Sequence, residues 1–534
     1  MQPHIRFNWK APTTRVDGTP LTPEEINALE FLLFESGNLI ADGIGEPTFS
    51  LLMDDQPEGP KSYTVGARQY GLLGPQSEPF LVNFQAPATP TNLTAEWVAG
   101  SASSEKTTEA AFVEPDPGET VMSSSVEKDG FTWYFDQQYP VGQYANGDWF
   151  VVGPVTITNI TPESGEVDGR VINGSMVNPT NGPDHSPNRQ GYDSHPSDML
   201  WREDLNLAPS YTGQNLTLSQ GSLVSSIHRP NPPTGGRPIL NDLAILTVVG
   251  EVPPSGAFRP HPYGTDKTSY WTESQLDYGI LQNLPHVPHM PDLASRTAEA
   301  LRFWNEHNTS WQQRAVQASN NQPSYGRNIA NRMAEMLLLL HLDFTKEQKR
   351  DLFVGVVQYG LDIYGRAQQG AVWEDLGGHN PGRKMPLLLA GLALQDQNIL
   401  AYADASEHFI FPEDRQTFYV SQSDVDRERY TADGRPRDPY TVEMIGTPEW
   451  GEQHTRNPAR DGSNWSVYYR WIGAAMIGHA LTARLTPGAV QAWNWTAFFE
   501  YMDRHFATDT TPTTDINGIQ SFQREMWETY RSTV

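Results

Sequence analysis

Residues 375 to 391 read DLGGHNPGRKMPLLLAG. His379, Asn380, Arg383 and Lys384 stand within six positions, directly before an apolar run. Gly377-Gly378 opens backbone shapes that other residues avoid, and Pro381-Gly382 turns the chain again. A histidine, an amide and two cations beside a helix N-terminus suit an anion. The plainer alternative is a helix start with two solvated cations. It works against the helix dipole by about a few tenths of a kcal/mol.

A second segment, 446 to 471, carries Glu449, Glu452, His454, Arg456, Asn457 and Arg460, then Tyr468, Tyr469 and Arg470 where a helix begins. Together the two segments supply cations, neutral donors and tyrosines; the alternative for Tyr468 and Tyr469 is an ordinary core position. A third group comprises His228 and Arg229 in SSIHRPN, with Arg259, His261, Tyr263 and Lys267 in GAFRPHPYGTDK. His286 and His289 have metal-ligand spacing, but prolines break it and no acidic third ligand adjoins, so no metal is expected. A fourth group, Trp133, Tyr139, Tyr144 and Trp149, forms either a sugar-stacking face or the inner layer of a sandwich. No nucleophile elbow, phosphate loop, dinucleotide fingerprint or HExxH motif is present.

These groups need a large scaffold. The chain has 534 residues, enough for two to four domains. Its 44 Gly and 42 Pro point to long ordered loops and β-modules beside helices. The net charge of −27 argues against nucleic-acid binding. It also means that an anionic substrate would need a local basic pocket. Without cysteine there is no disulfide, no thiolate chemistry and no Cys-based zinc site. The opening MQPHIRFNWKAP lacks an apolar signal segment, which suits a protein released by lysis or one whose signal has been removed. The most apolar run, MLLLLHLDF at 336 to 344, is too short to span a bilayer, so no membrane insertion is expected.

The patterning predicts a mixed α and β chain. Residues 1 to 88 alternate as a β-module, with LTPEEINALEFLLF as a helix-like interruption. Residues 89 to 125, rich in Pro, Thr, Ser, Ala and Glu, read as a linker. Residues 126 to 288 return to strands, with a turn at Asn146-Gly147. From 289 to 534 the period is helical. Thr345 with Gln348 forms a capping-box pattern. Gly473, Ala474, Ala475 and Gly478 would let a helix approach its neighbour closely. The helices fit a bundle or an α/α toroid.

Two resemblances follow from particular residues. Trp9, Ala11-Pro12, RVDGTPL and the Tyr63-x-Val65-x-Ala67 strand resemble a fibronectin type III module, which would serve as a spacer or attachment unit. GGHNPGRKMPLLLAGLALQD, FPEDRQTFYVSQSDVD, PEWGEQHTRNP and PGAVQAWNWTAFFEYMDRHF resemble the α/α-toroid domain of uncharacterised, mostly marine bacterial proteins, which are loosely similar to alginate-lyase-like and heparinase-like polysaccharide lyases.

That resemblance implies β-elimination on a uronic-acid polysaccharide. A neutraliser meets the carboxylate so that the C5 proton can leave; His379, Asn380 and Arg383 match it in type. His454 and Tyr468 or Tyr469 match base and acid. Lys384, Glu449, Arg456, Tyr469, Arg470, His228 and Arg259 would bind substrate. No cofactor is implied. The partners implied are the polysaccharide and, through the N-terminal module, a second copy or a virion; the location implied is extracellular or virion-associated. A glycoside hydrolase would instead need two carboxylates about 5–10 Å apart, available from Glu374, Asp375, Glu449 and Glu452. A non-enzymatic tail or surface-attachment protein is the third reading.

Overall fold

The structure is a computed structural model of the 534-residue chain. It describes residues 119–534 except 180–188, 376, 428–439, 452–466 and 515–516; before 119 it describes the backbone course of eight strands, and for Val467–Trp471 the backbone alone. The chain divides into two compact units, Met1–Phe112 and Val113–Val534.

In the first unit β1 (His4–Asn8) pairs with β4 (Thr48–Leu52) and β8 (Glu96–Trp97). A second sheet runs β3 (Asn38–Ile44), β2 (Glu30–Glu35), β5 (Gly59–Gln69) and β6 (Leu72–Leu73), with β7 (Phe80–Phe84) also on β5. The helix-like reading of LTPEEINALEFLLF is corrected at its end. Residues 30 to 35 are strand, paired on one side with β3 and on the other with β5. Ladder bonds on both sides outweigh helical spacing.

The second unit is mixed α and β. Its main sheet is an eight-stranded, curled one. Around the long β10 (Phe131–Gln143) lie β9 (Val121–Lys128), β11 (Trp149–Val152) and β12 (Val155–Thr161). Residues 121 to 125, read as linker, therefore belong to β9. Two small ribbons follow, β13 (Gly165–Val167) with β14 (Arg170–Ile172) and β16 (Arg189–Gln190) with β17 (Leu200–Trp201). The sheet is completed by β15 (Ser175–Val177), β18 (Leu216–Leu218), β19 (Gly221–His228) and β20 (Leu240–Val249). β11 and β20 run parallel; the other main-sheet pairs are antiparallel. β10 shifts register between Tyr134 and Phe135, and its last residues pair with β11, so one strand serves two parts of the curl.

The helical half follows from capping and periodicity. Helix Lys346–Gln368 begins at the expected capping box: Thr345 Oγ1 accepts from the Gln348 amide at 3.2 Å, and Gln348 Oε1 accepts from the Thr345 amide at 2.9 Å. It packs on helices Leu293–Ala300 and Lys384–Ala393, and helix Val467–Leu485 packs on Gly326–Leu339 and Thr496–Thr508. A methyl group on Gly478 would stand 2.6 Å from Ala334 Cβ, so the small-residue stripe does set a close helix contact. The run AVQAWNWTAFFEYMDRHF breaks at Asn494, whose φ of 54° ends helix Ala489–Trp493 before Thr496–Thr508 begins.

The sheet and the helices, read from sequence as separate domains meeting at 288, lie in one compact unit. Arg259 ties them: its guanidinium meets Asp148 beside β11 at 2.7 Å and Asp362 in helix Lys346–Gln368 at 2.6 Å. The first helix within the helical period that begins at 289 ends at Ala300. Beyond it, residues 303 to 309 are all buried without helical structure, and Thr309 O and Glu306 there accept hydrogen bonds from Asn380 and Arg383.

Candidate functional site

The loop of residues 377 to 383 is fixed from several directions. The Arg327 amide donates to Gly378 O at 2.8 Å, and Gln416 Nε2 donates to Gly377 O at 3.1 Å. Asn380 Nδ2 donates to Thr309 O at 3.0 Å and to Glu374 O at 3.1 Å. The Gly382 amide donates to Glu413 Oε1 at 2.6 Å. Two glycines make the approach possible. A methyl group on Gly326 would stand 1.9 Å from His379 O, and one on Gly382, where φ is 97°, would stand 2.7 Å from Ala330 Cα.

This changes what the motif does. Asn380, Arg383 and Lys384 are buried, and each is engaged inside the fold. Arg383 Nε donates to Glu306 Oε1 at 3.1 Å and Nη1 to Pro381 O at 3.1 Å. Lys384 Nζ donates to Asp414 Oδ2 at 2.6 Å and to Trp493 O at 3.1 Å. Neither cation is solvated, and neither faces a cleft. They are neutralised by carboxylates that the helix N-terminus alone would not supply.

Glu306 is the hub that sequence reasoning missed. Tyr359 Oη donates to its Oε1 at 2.8 Å, alongside Arg383, and Trp373 Nε1 donates to its Oε2 at 3.1 Å. The Glu306 amide donates to Tyr263 Oη at 2.6 Å. A signal was present: NEHNTSWQQ at 305 to 313 packs amides and a histidine too densely for an amphipathic helix.

His379 alone of the four motif residues keeps partial exposure. Its ring stands 6.3 Å from that of Trp311 and, edge to face, 5.2 Å from that of Tyr325. Guanidinium groups lie over both neighbours: Arg314 at 5.2 Å and Arg237 at 5.7 Å from the Trp311 ring, and Arg327 at 5.4 Å from the Tyr325 ring. Arg237 pairs with Asp198 at 2.6 Å, and Arg327 Nη1 donates to Asn517 Oδ1 at 2.9 Å. Arg314 Nε is buried with no hydrogen-bond partner. The Trp311 amide donates to Glu374 Oε2 at 2.8 Å, which holds this wall to the motif loop. The result is a partly exposed imidazole beside two rings, with Arg237 and Arg314 partly exposed and Arg327 buried, in a strongly acidic protein; guanidinium groups and an imidazole are the groups that anion binding and proton transfer use.

Helix Val467–Leu485, on which the second expected segment ends, comes close to this loop at Ile472. A methyl group on Gly378 would stand 2.7 Å from Tyr325 Oη and 3.4 Å from Ile472 Cγ1. Ile472 lies one helical turn after Tyr468. The side chains of Tyr468, Tyr469 and Arg470, and residues His454 and Arg456, lie outside the described residues. Glu449 is buried and ion-paired with Arg504, so it is not turned to solvent.

The remaining expected residues stand elsewhere. Arg259 is the buried tie already described. His228 Nδ1 contacts Asn173 Oδ1 at 3.0 Å, and burial, then the Arg170 guanidinium, hold its pKa below the usual value. Lys267 is buried and donates to the carbonyls of His261 at 3.0 Å and Gly264 at 2.9 Å. Trp133, Tyr139, Tyr144 and Trp149 are all buried, which decides for the inner layer over a sugar-stacking face. Glu374 and Asp375, expected as a hydrolase's carboxylates, are engaged with the Trp311 amide and, at 3.2 Å, with Arg415. Among the described residues no group of three or more His, Asp or Glu side chains is arranged to hold a metal ion, and no helix is long and apolar enough to cross a membrane.

Compared with protein-family models, with curated proteins and with solved structures, the chain matches none.

Proposed function

We propose that this protein is a polysaccharide lyase that cleaves a uronic-acid polymer by β-elimination at the His379 surface. The observation that carries the reading is the setting of His379: a partly exposed imidazole between Trp311 and Tyr325, with Arg237, Arg314 and Arg327 over those rings. In this scheme the partly exposed Arg314 and Arg237 guanidinium groups hold the uronate carboxylate and stabilise the charge that spreads into it. His379 takes the C5 proton. The C5 electrons form the C4–C5 double bond, the C4–O bond breaks, and the leaving oxygen takes a proton from Tyr325 Oη. Asn380 and Arg383 act by shaping the loop rather than by meeting the carboxylate. With this reading go an α/α-toroid description of the helices, a fibronectin-type attachment role for the N-terminal module, and an extracellular or virion-associated location.

The test is incubation of the purified chain with alginate, polygalacturonate and glycosaminoglycans while ultraviolet absorbance of the unsaturated product is followed. The expected result is product from one polymer class, lost in His379→Ala and reduced in Tyr325→Phe. Reducing ends without the double bond would mean hydrolysis. No cleavage of any polymer, or an unchanged rate in His379→Ala, would end the proposal.

A further inference from the structure

A cleft built from other residues than the His379 surface has a volume of about 880 Å³. That is near the top of the roughly 300–1,000 Å³ span of small-ligand sites. It lies between the segment 259 to 275, helix Lys346–Gln368 and helix Gln397–Ala403.

Its wall is a continuous series of rings. Tyr270 and Trp271 stand 5.6 Å apart, Trp271 and Tyr364 6.2 Å, and Tyr364 and Tyr402 5.4 Å; Tyr402 then stacks on His408 at 4.1 Å, only 4° from parallel. Tyr270 is 61% exposed at the rim. It is held there by its own hydroxyl, which donates to Asp266 Oδ2 at 2.7 Å. Trp271 is fixed by its indole N–H, which donates to Asp396 Oδ2 at 2.9 Å. An exposed ring at the rim is set by hydrogen bonds rather than by burial, so its orientation is kept for something outside the core.

The polar lining selects the class of ligand. Gln275, Gln368, Gln395, Gln397 and Asn398 line the same cleft, each with an amide that both donates and accepts. The cation lining it is Arg259, whose charge is taken up by Asp148 and Asp362. The two acids, Asp266 and Asp396, leave the lining net negative and disfavour a carboxylate or sulfate. Flat ring faces match the C–H faces of a pyranose, and amides with carboxylates match its hydroxyls.

We propose that this cleft binds an uncharged oligosaccharide. It is a binding site chemically opposite to the cationic His379 surface, and it stands whether or not that surface cleaves a polymer. It would hold a neutral part of a mixed polymer, or a neutral glycan on a surface to which the protein attaches.

The test is calorimetric titration of the full chain with cellohexaose, mannohexaose, laminarihexaose and chitohexaose, with oligogalacturonate and oligoalginate as charged counterparts. The expected result is binding of an uncharged hexasaccharide, weakened about tenfold or more in Tyr270→Ala and in Tyr402→Ala, and unchanged in His379→Ala. Tyr270 lies at the surface, so that variant keeps its fold; an unchanged melting temperature checks this. Three outcomes would overturn the proposal: no uncharged hexasaccharide bound at millimolar concentration, affinity unchanged in Tyr270→Ala, or charged oligosaccharides bound as tightly as uncharged ones. Loss of cleavage in His379→Ala with binding intact would separate the two sites.

Discussion

Lys384 holds its ammonium 2.6 Å from the Asp414 carboxylate and 4.8 Å from the centre of the Trp493 ring, all within the core. Trp493 Nε1 donates to the other carboxylate oxygen at 2.8 Å, so the acid is satisfied on both sides. The first cation of helix Lys384–Ala393 is a structural clamp. Lys384→Met should strand Asp414 and lower stability by about 3–5 kcal/mol. Lys384→Met with Asp414→Leu should recover much of that loss. Urea unfolding of the three proteins checks it; equal stability of the single variant and the wild type would rule out the clamp.

Arg259 is a second clamp, between sheet and helices. Arg259→Lys should lose most of its contribution, because one ammonium cannot meet Asp148 and Asp362 with the geometry of a fork. Arg259→Met should cost about 3–5 kcal/mol. If Arg259→Lys unfolds at the wild-type urea midpoint, the fork geometry is irrelevant.

Glu413 makes stability fall as pH rises. Burial pushes its carboxyl from an ordinary 4.5 up to about 7, and its Oε2 has no hydrogen-bond partner. Below pH 4.5 the acid is protonated in both folded and unfolded chains, and nothing is lost. Between about 4.5 and 7 the unfolded chain ionises first, which costs the folded state on the order of 3 kcal/mol by neutral pH. Glu413→Gln should remove that decline. Melting curves from pH 4 to 8 measure it, and parallel slopes for both proteins would refute it.

His341 acts in the opposite direction. Its Nδ1 accepts from the Gln282 amide at 3.2 Å, so Nε2 carries the proton toward Thr486 Oγ1, also at 3.2 Å. Burial, with a smaller contribution from Lys349, lowers its pKa from 6.5 to about 3. Above pH 6.5 it is neutral in both states. As pH falls below 6.5 the unfolded chain takes up the proton first, and stability should drop by about 1.4 kcal/mol per unit until about pH 3. His341→Gln should flatten that limb of the melting curve. An unchanged acid limb would show that His341 does not govern it.

Gly326 ties the motif loop to the fold. Gly326→Ala must displace His379 O, because the new Cβ would stand 1.9 Å from it. Faster amide hydrogen exchange across residues 377 to 380 is expected, with loss of any activity that uses His379. Unchanged exchange there would show that the loop adapts without cost.

Much of the fold was legible because it is local. The Thr345 capping box, the Asn146-Gly147 turn and the helical period of 467 to 485 depend on neighbours a few positions away. The site was legible only in its address. GGHNPGRK drew attention to the loop on which the proposed site rests, but Asn380, Arg383 and Lys384, expected to face an anion, are buried inside the fold. Trp311, Tyr325 and the arginines over them carry no pattern in the chain that links them to His379.

By itself, then, the sequence determined the acidic balance and the local caps and turns that start and stop many of its elements. Tertiary structure decided which of the GGHNPGRK loop's cations are spent inside and which group remains at the surface. Glu306 lies 77 positions from Arg383, and Asp414 lies 30 from Lys384. A buried charge takes the partner that folding brings to it, because desolvation outweighs any preference written in nearby residues.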